Sequence, residues 1–256
     1  MRRAAFFIAL FTSTHTAAFA RPVVDPAADR HETGDGQREV GVPKVVGVGT
    51  VEGPMGKVGT GRDGNLGDVL GPRMRMAVDV GVPVSATWRL SGRGALLLGS
   101  AGQALDTLCD AGREAADSDD SRSTPHPTCI SYGLSLEAHL RHDFRTDVPV
   151  GAALPWISFG VGAEQSWLKA SSGQSDRVIG SFEGSFTGIH LAMPAVGVDW
   201  HLDDRYIFGV FVHASIGRYL HRTGTLDMAL ASPVDADYGG PSTHAWLGGG
   251  FQVGRF

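Results

Sequence analysis

Period-two alternation of apolar and polar residues dominates this chain between residues 73 and 219. Over 130–141 one face reads Ile130, Tyr132, Leu134, Leu136, Ala138 and Leu140. The other reads Ser131, Gly133, Ser135, Glu137, His139 and Arg141. Successive side chains of a strand point to opposite sides, so this split predicts a strand with one greasy and one polar face. The same reading gives strands over 73–82 (Met74, Met76, Val78, Val80, Val82) and 156–167 (Ile157, Phe159, Val161, Ala163, Trp167). It also gives 192–202 (Ala192, Val196, Val198, Trp200, Leu202) and 206–219 (Phe208, Val210, Val212, Ala214, Ile216). Weaker alternation adds 94–104 and 244–255, and a Gly- and Val-rich stretch near 44–52 supplies a candidate first strand.

A soluble sandwich alternates as well. Three features favour a closed membrane barrel instead. Several strands reach ten or more residues, the length of a tilted crossing. Connections alternate in length: 203–205 is a tight turn and 83–93 and 142–153 are moderate, whereas 105–128, 168–188 and 220–243 are long and polar, the asymmetry of outer-membrane barrels. Aromatics gather at strand ends, where ring systems favour a membrane–water boundary: Trp88, Trp156, Trp167, Trp200, Tyr206, Tyr219, Trp246 and Phe256. Seven strands and the candidate near 44–52 make eight, the even number that brings both termini to one side. The expected fold is all-β: a closed antiparallel up-and-down transmembrane β-barrel with long extracellular loops and short periplasmic turns.

Composition sharpens this. Glycine accounts for 36 of 256 residues, about twice the usual share, which suits crowded inner walls and turns better than helices. A net charge of −5 offers no basic field for nucleic acid. Beyond the N-terminus no apolar run reaches the ~18 residues of a helical span, so membrane entry requires a closed barrel. The N-terminus itself has Arg2 and Arg3, an apolar run over 4–11 and Ala18-Phe19-Ala20, the pattern of a secretory signal cleaved after Ala20. Residues 21–43, with Pro22, Pro26 and Pro43, read as a flexible leader, and 44–256 as the barrel domain.

The polar faces nominate a lumen network: Arg73, Arg75, Asp79, Glu137, His139, Arg141, Glu164, Asp199, His201 and His213. Eight strands enclose only enough space for side chains to fill, and buried charges persist when paired. Mixed signs therefore predict a salt-bridged plug; a proton- or ion-conducting lumen is the competing reading. Cys109 and Cys129 are the only cysteines, and in an exported chain such a pair reads as a disulfide, stabilising by roughly 3 kcal/mol for a loop of about 20 residues. The loop between them holds Asp110, Glu114, Asp117, Asp119 and Asp120, a solvated surface more than a Ca²⁺ site, since the EF-hand Gly and terminal Glu are missing. Gly59-Thr60-Gly61-Arg62-Asp63-Gly64 matches a dinucleotide fingerprint but lacks its βαβ setting, and Val58 after Lys57 spoils a phosphate loop. Ser215 beside His213 suggests a hydrolase pair without an orienting third group or oxyanion donors, so no catalytic residue, cofactor or metal is expected.

The segments Pro155–Ala163 (PWISFGVGA), Ala195–Trp200 (AVGVDW), Gly209–Tyr219 (GVFVHASIGRY) and His244–Phe251 (HAWLGGGF) resemble small eight-stranded outer-membrane β-barrel proteins of the A and W types, over residues 73–256. Such chains often end in an aromatic read by the barrel-assembly machinery, and Phe256 holds that place. One departure stands out: counting back in twos from Phe256 meets Gly254, Gln252 and Gly250, while Phe251 and Val253 have the other parity. The strand is then bulged, or the terminal signal is incomplete. The resemblance implies a monomer of a Gram-negative outer membrane, in contact with its lipids and lipopolysaccharide. Its expected role is structural or surface interaction without catalysis, with a narrow porter for small or amphipathic solutes, or a lipid-modifying enzyme, as alternatives.

Overall fold

The computed structural model describes residues 44–56, 66–103, 105, 109, 128–144, 150–171, 180–202, 206–228, 231–235 and 242–255. The proposed signal and leader, the Gly59–Gly64 fingerprint, the acidic residues Asp110 to Asp120 and the terminal Phe256 lie outside them. The described residues form nine strands: β1 (Lys44–Gly56), β2 (Leu70–Pro83), β3 (Trp88–Ala101), β4 (Thr128–Asp143), β5 (Ala153–Ser171), β6 (Gly180–His201), β7 (Tyr206–Met228), β8 (Ala231–Asp235) and β9 (Ser242–Arg255). A single helical turn, α1 (Leu66–Val69), precedes β2.

Every neighbouring pair is antiparallel, and eight strands close a ring. Each of β1 to β6 pairs with the next, β6 pairs with β7, β7 with β9, and β9 returns to β1 from Val45↔Arg255 to Gly56↔His244. Closure leaves no open edge on the ring. β8 stands outside it, paired only with β7, so the segment 220–243 is not a plain loop: β7 runs on to Met228 and β8 folds back on it. Likewise 168–188, expected to be a loop, is mostly strand, because β5 continues to Ser171 and β6 begins at Gly180.

The reason those extensions escape the sequence reading is that the wall changes polarity along its length. In the lower part, apolar residues face outward and are about half exposed, among them Val80, Leu96, Leu134, Val161, Val196, Val210 and Phe251. Toward the far ends of β5, β6 and β7 the pattern inverts. There Leu168, Ala170, Phe182, Phe186 and Tyr219 point inward and are buried. The outer face carries the Lys169–Glu183 ion pair and hydrogen bonds from Gln165 Nε2 to Ser185 Oγ (3.0 Å) and from Thr187 to Gln165. A strand of 22 residues such as β6 spans roughly 70 Å at about 3.3 Å per residue, well beyond a crossing of the ~30 Å hydrocarbon layer. Both polarities alternate with period two, but only the lower one matches a greasy-outside pattern.

The β9 register is continuous with β7 through Tyr206↔Arg255, with Gln252 and Gly254 inside and Phe251 and Val253 outside. The parity noted in the sequence therefore has no bulge behind it.

Candidate functional site

Inside the ring the side chains are stacked in layers. At the end where β5 stops and β6 starts lies an apolar plug of Leu66, Leu70, Leu168, Phe182, Phe186, Tyr219 and Trp246. Cys109 and Cys129 are joined by a disulfide across a Cα–Cα distance of 6.1 Å, and Cys109 is buried in this plug. Nearer the other end is a second apolar layer, Val46, Val48, Ala77, Ala95, Trp156, Ile207 and Phe211.

Between them sits a buried ion network built by alternation on β1, β2, β4, β5 and β7. Glu52 is its hub: Arg73 Nε donates to Glu52 Oε2 at 2.6 Å, and Arg75 Nε stands 2.8 Å from Oε1 as an ion pair. Arg73 Nη1 reaches Glu164 Oε2 at 2.9 Å, and Arg75 Nη1 donates to Glu137. Each carboxylate also meets one imidazole: His139 Nε2 with Glu137 at 2.9 Å, His190 Nε2 with Glu164 at 3.1 Å, and His213 Nε2 with Glu52 at 3.2 Å. Ser135 and Ser166 hydroxyls donate to Glu137 and Glu164 at 2.8 and 2.9 Å. Arg73 is further stacked on Trp246, its guanidinium carbon 3.6 Å from the ring centroid. Asp79 lies beside this network, accepting from Ser91 Oγ and Arg93.

A smaller polar cluster occupies the opposite end, where β6 stops and β7 starts. Asp199 accepts from Arg141 Nη2 (2.6 Å), Trp156 Nε1 (2.9 Å) and Gln252 Nε2 (2.6 Å), and Arg141 also donates to Asp143 at 2.7 Å. The ten lumen residues named from the sequence thus fall into two groups. Arg73, Arg75, Asp79, Glu137, His139, Glu164 and His213 lie in or beside the central network, and Arg141 and Asp199 in the end cluster. His201, the last residue of β6 and only partly buried, lies at the same end, with Asp199 and Asp143 among its charged neighbours.

Three aromatics assigned to the membrane boundary are instead interior. Trp156, Tyr219 and Trp246 are 3%, 0% and 1% exposed. Their own strands place them there, since Trp156 shares parity with Glu164, Tyr219 with His213, and Trp246 with Gln252. Buried ring N–H and O–H groups need partners, and the lumen provides the Asp199 carboxylate to Trp156. Of the others, the described Trp88, Trp167, Trp200 and Tyr206 face outward. Trp167 stacks on Tyr132 (5.5 Å between centroids), Trp200 on Phe208 (6.2 Å), and Tyr206 is 44% exposed.

Three network members, and one buried histidine beside them, were missing from the sequence reading. Glu52 sits on β1, where small residues on both faces blur the alternation. Arg93 lies on β3 among glycines. His190 has the parity of outward Val196, but a bulge between His190 and Ala192 turns it inward. His244 is fully buried, stacked on Tyr219 at 3.9 Å, on a Gly-rich strand with little periodicity. Among the described residues no group of three or more His, Cys, Asp or Glu is arranged to hold a metal ion.

No family model and no curated protein matches the chain. Solved structures similar to it include Salmonella typhi OmpF in complex with daunomycin, at 6% identity and a TM-score of 0.15, over 82% of this chain and 97% of that one. A likeness at that level carries no argument about lineage, ligand or role.

Proposed function

We propose that this chain is an integral outer-membrane β-barrel, akin to the small A- and W-type barrels, whose role is structural or surface interaction without catalysis. The observation that carries this reading is the double inversion of polarity: a ring with apolar residues outside and an ion network inside. In water such a ring has its faces reversed; in a bilayer each face meets its own solvent. Its surroundings are then outer-membrane lipids and lipopolysaccharide, it reaches them through the barrel-assembly machinery after export, and its closed ring suits a monomer. The ion network, held between two apolar layers, favours a sealed lumen over a conducting one, because a continuous water path would have to cross both apolar layers.

Cell fractionation and gel migration test the proposal. The expected result is recovery in the outer membrane, faster migration before heating than after, and no ion conductance in planar bilayers. Recovery of folded protein from periplasm without detergent overturns the membrane assignment, and steady unitary conductance overturns the sealed lumen.

A further inference from the structure

Exposure of the inward charges changes in one step along the wall. Counted from the end where β6 stops and β7 starts, the inner faces of β2, β3 and β4 carry successive tiers of ion pairs. The first holds Arg89, Arg141 and Asp143, with side chains 12–14% exposed. The second holds Arg93 and Asp79, at 12% and 11%. One tier further, Arg75 and Glu137 are at 0%, although Arg93 Nη1 stands only 3.9 Å from Glu137 Oε2. Arg93 and Asp79 are inward by strand parity and bonded to each other, so solvent touches them only from within the ring. The sequence leaves room for it: between the tiers β2 and β3 offer only Gly81 and Ser91, which are Cα partners, and Ser91 Oγ turns aside to donate to Asp79 at 3.1 Å. Beyond Arg93 the way is shut by Val48, Ala77 and Ala95 of the second apolar layer, neighbours through Val48↔Ala77 and Ala77↔Ala95. Beside them the Arg93 guanidinium lies against Glu137.

We infer that the lumen holds a one-ended vestibule: water and small hydrophilic solutes enter past Arg89 and Arg141, reach Asp79, and are kept from the central network by Arg93. The guest it takes is uncharged and hydrogen-bonding, such as a small amide, because Arg89, Arg93 and Arg141 already hold carboxylate partners and a charged guest would have to part a pair. β1 starts and β9 stops at this end, which on the membrane reading above faces the periplasm. The vestibule itself depends only on the closed ring.

Alkylation of single introduced cysteines by iodoacetamide, a small neutral amide, tests this on the folded, detergent-solubilised barrel, read by intact mass with the urea-unfolded chain as reference. Cys109 and Cys129 are joined and do not compete. Ser91→Cys is expected to react at least about a hundredfold faster than Ser135→Cys, whose side chain lies against Glu137 and is reached only by opening of the fold. Adding Arg93→Ala brings Ser135→Cys to within about tenfold of Ser91→Cys. Should that variant fail to fold, Arg93→Ala with Asp79→Asn, which leaves no lone carboxylate at the second tier, takes its place. Ser91→Cys as protected as Ser135→Cys means an enclosed lumen and overturns the vestibule. Ser135→Cys as reactive as Ser91→Cys overturns the dead end, and protection that persists without Arg93 overturns its role as stopper. Each rate is measured outside the membrane, so cell fractionation alone decides the membrane reading.

Discussion

Replacing Glu52 by glutamine isolates the energetics of the central network. The side chain keeps its volume, so packing on β1 is preserved, but the hub loses its charge. Arg73 (Nε at 2.6 Å) and Arg75 (Nε at 2.8 Å) then share only Glu164 and Glu137, and His213 loses the carboxylate at 3.2 Å. All of these side chains are nearly inaccessible to solvent, Glu52 at 1% and Arg75 at 0%. Removing one partner from a buried ion pair typically costs about 3–5 kcal/mol, here because each guanidinium loses one of its two carboxylates. That corresponds to roughly a hundredfold to several-thousandfold in the folding equilibrium. Equilibrium unfolding in urea with the barrel in phospholipid vesicles, followed by tryptophan fluorescence, measures it. The expected result is a lower midpoint at unchanged slope. Pairing the change with Arg75→Met gives a double-mutant cycle, in which the two losses are expected to be less than additive. A loss below about 1 kcal/mol for Glu52→Gln refutes the argument, since it requires a hydrated lumen in which the charge was screened.

Other expectations concern separate parts of the wall. An added methyl at Gly160 meets the His139 ring (Nδ1 at 2.5 Å), so Gly160→Ala displaces the imidazole from Glu137 and costs about 1–3 kcal/mol, measured by the same unfolding titration. Leu134→Arg, on the lower outer face, is expected to destabilise the vesicle-inserted barrel by about 2–4 kcal/mol, whereas Lys169→Gln on the polar upper face leaves its stability nearly unchanged, since an exposed ion pair contributes little; equal effects of the two contradict the boundary between those zones. Reduction of Cys109–Cys129 is expected to lower stability by up to ~3 kcal/mol while the closed ring persists, seen as a retained heat-dependent shift on non-boiled gels under dithiothreitol.

The lower barrel was legible because its two faces differ sharply. Leu134 and Leu136 against Ser135 and Glu137 admit one strand register, and a slip by one residue exchanges every side chain between faces. The network members on such strands, from Arg73 to His213, were accordingly found. Where neighbours are small, as around Glu52 and Arg93, both faces look alike and parity carries little information. His190 was hidden by a bulge, which adds a residue and reverses the count. The aromatics at 156, 219 and 246 were assigned by residue type and position near a strand end, although parity already opposed it. The upper reaches of β5, β6 and β7 were misread for a different reason: alternation persists there, but its sign is that of a water-soluble sheet.

The pairing of β1 with β9 has a consequence for how the molecule comes to exist. It joins the first and last staves of the hoop, separated by nearly the whole described chain, and their contact is what removes two raw borders from solution. A nascent polypeptide lacking 242–255 holds every other hairpin yet presents two unsatisfied backbones, each a template for a neighbouring copy. Ring closure is therefore gated by the fourteen residues of β9, and a chain without them is expected to self-associate through those borders.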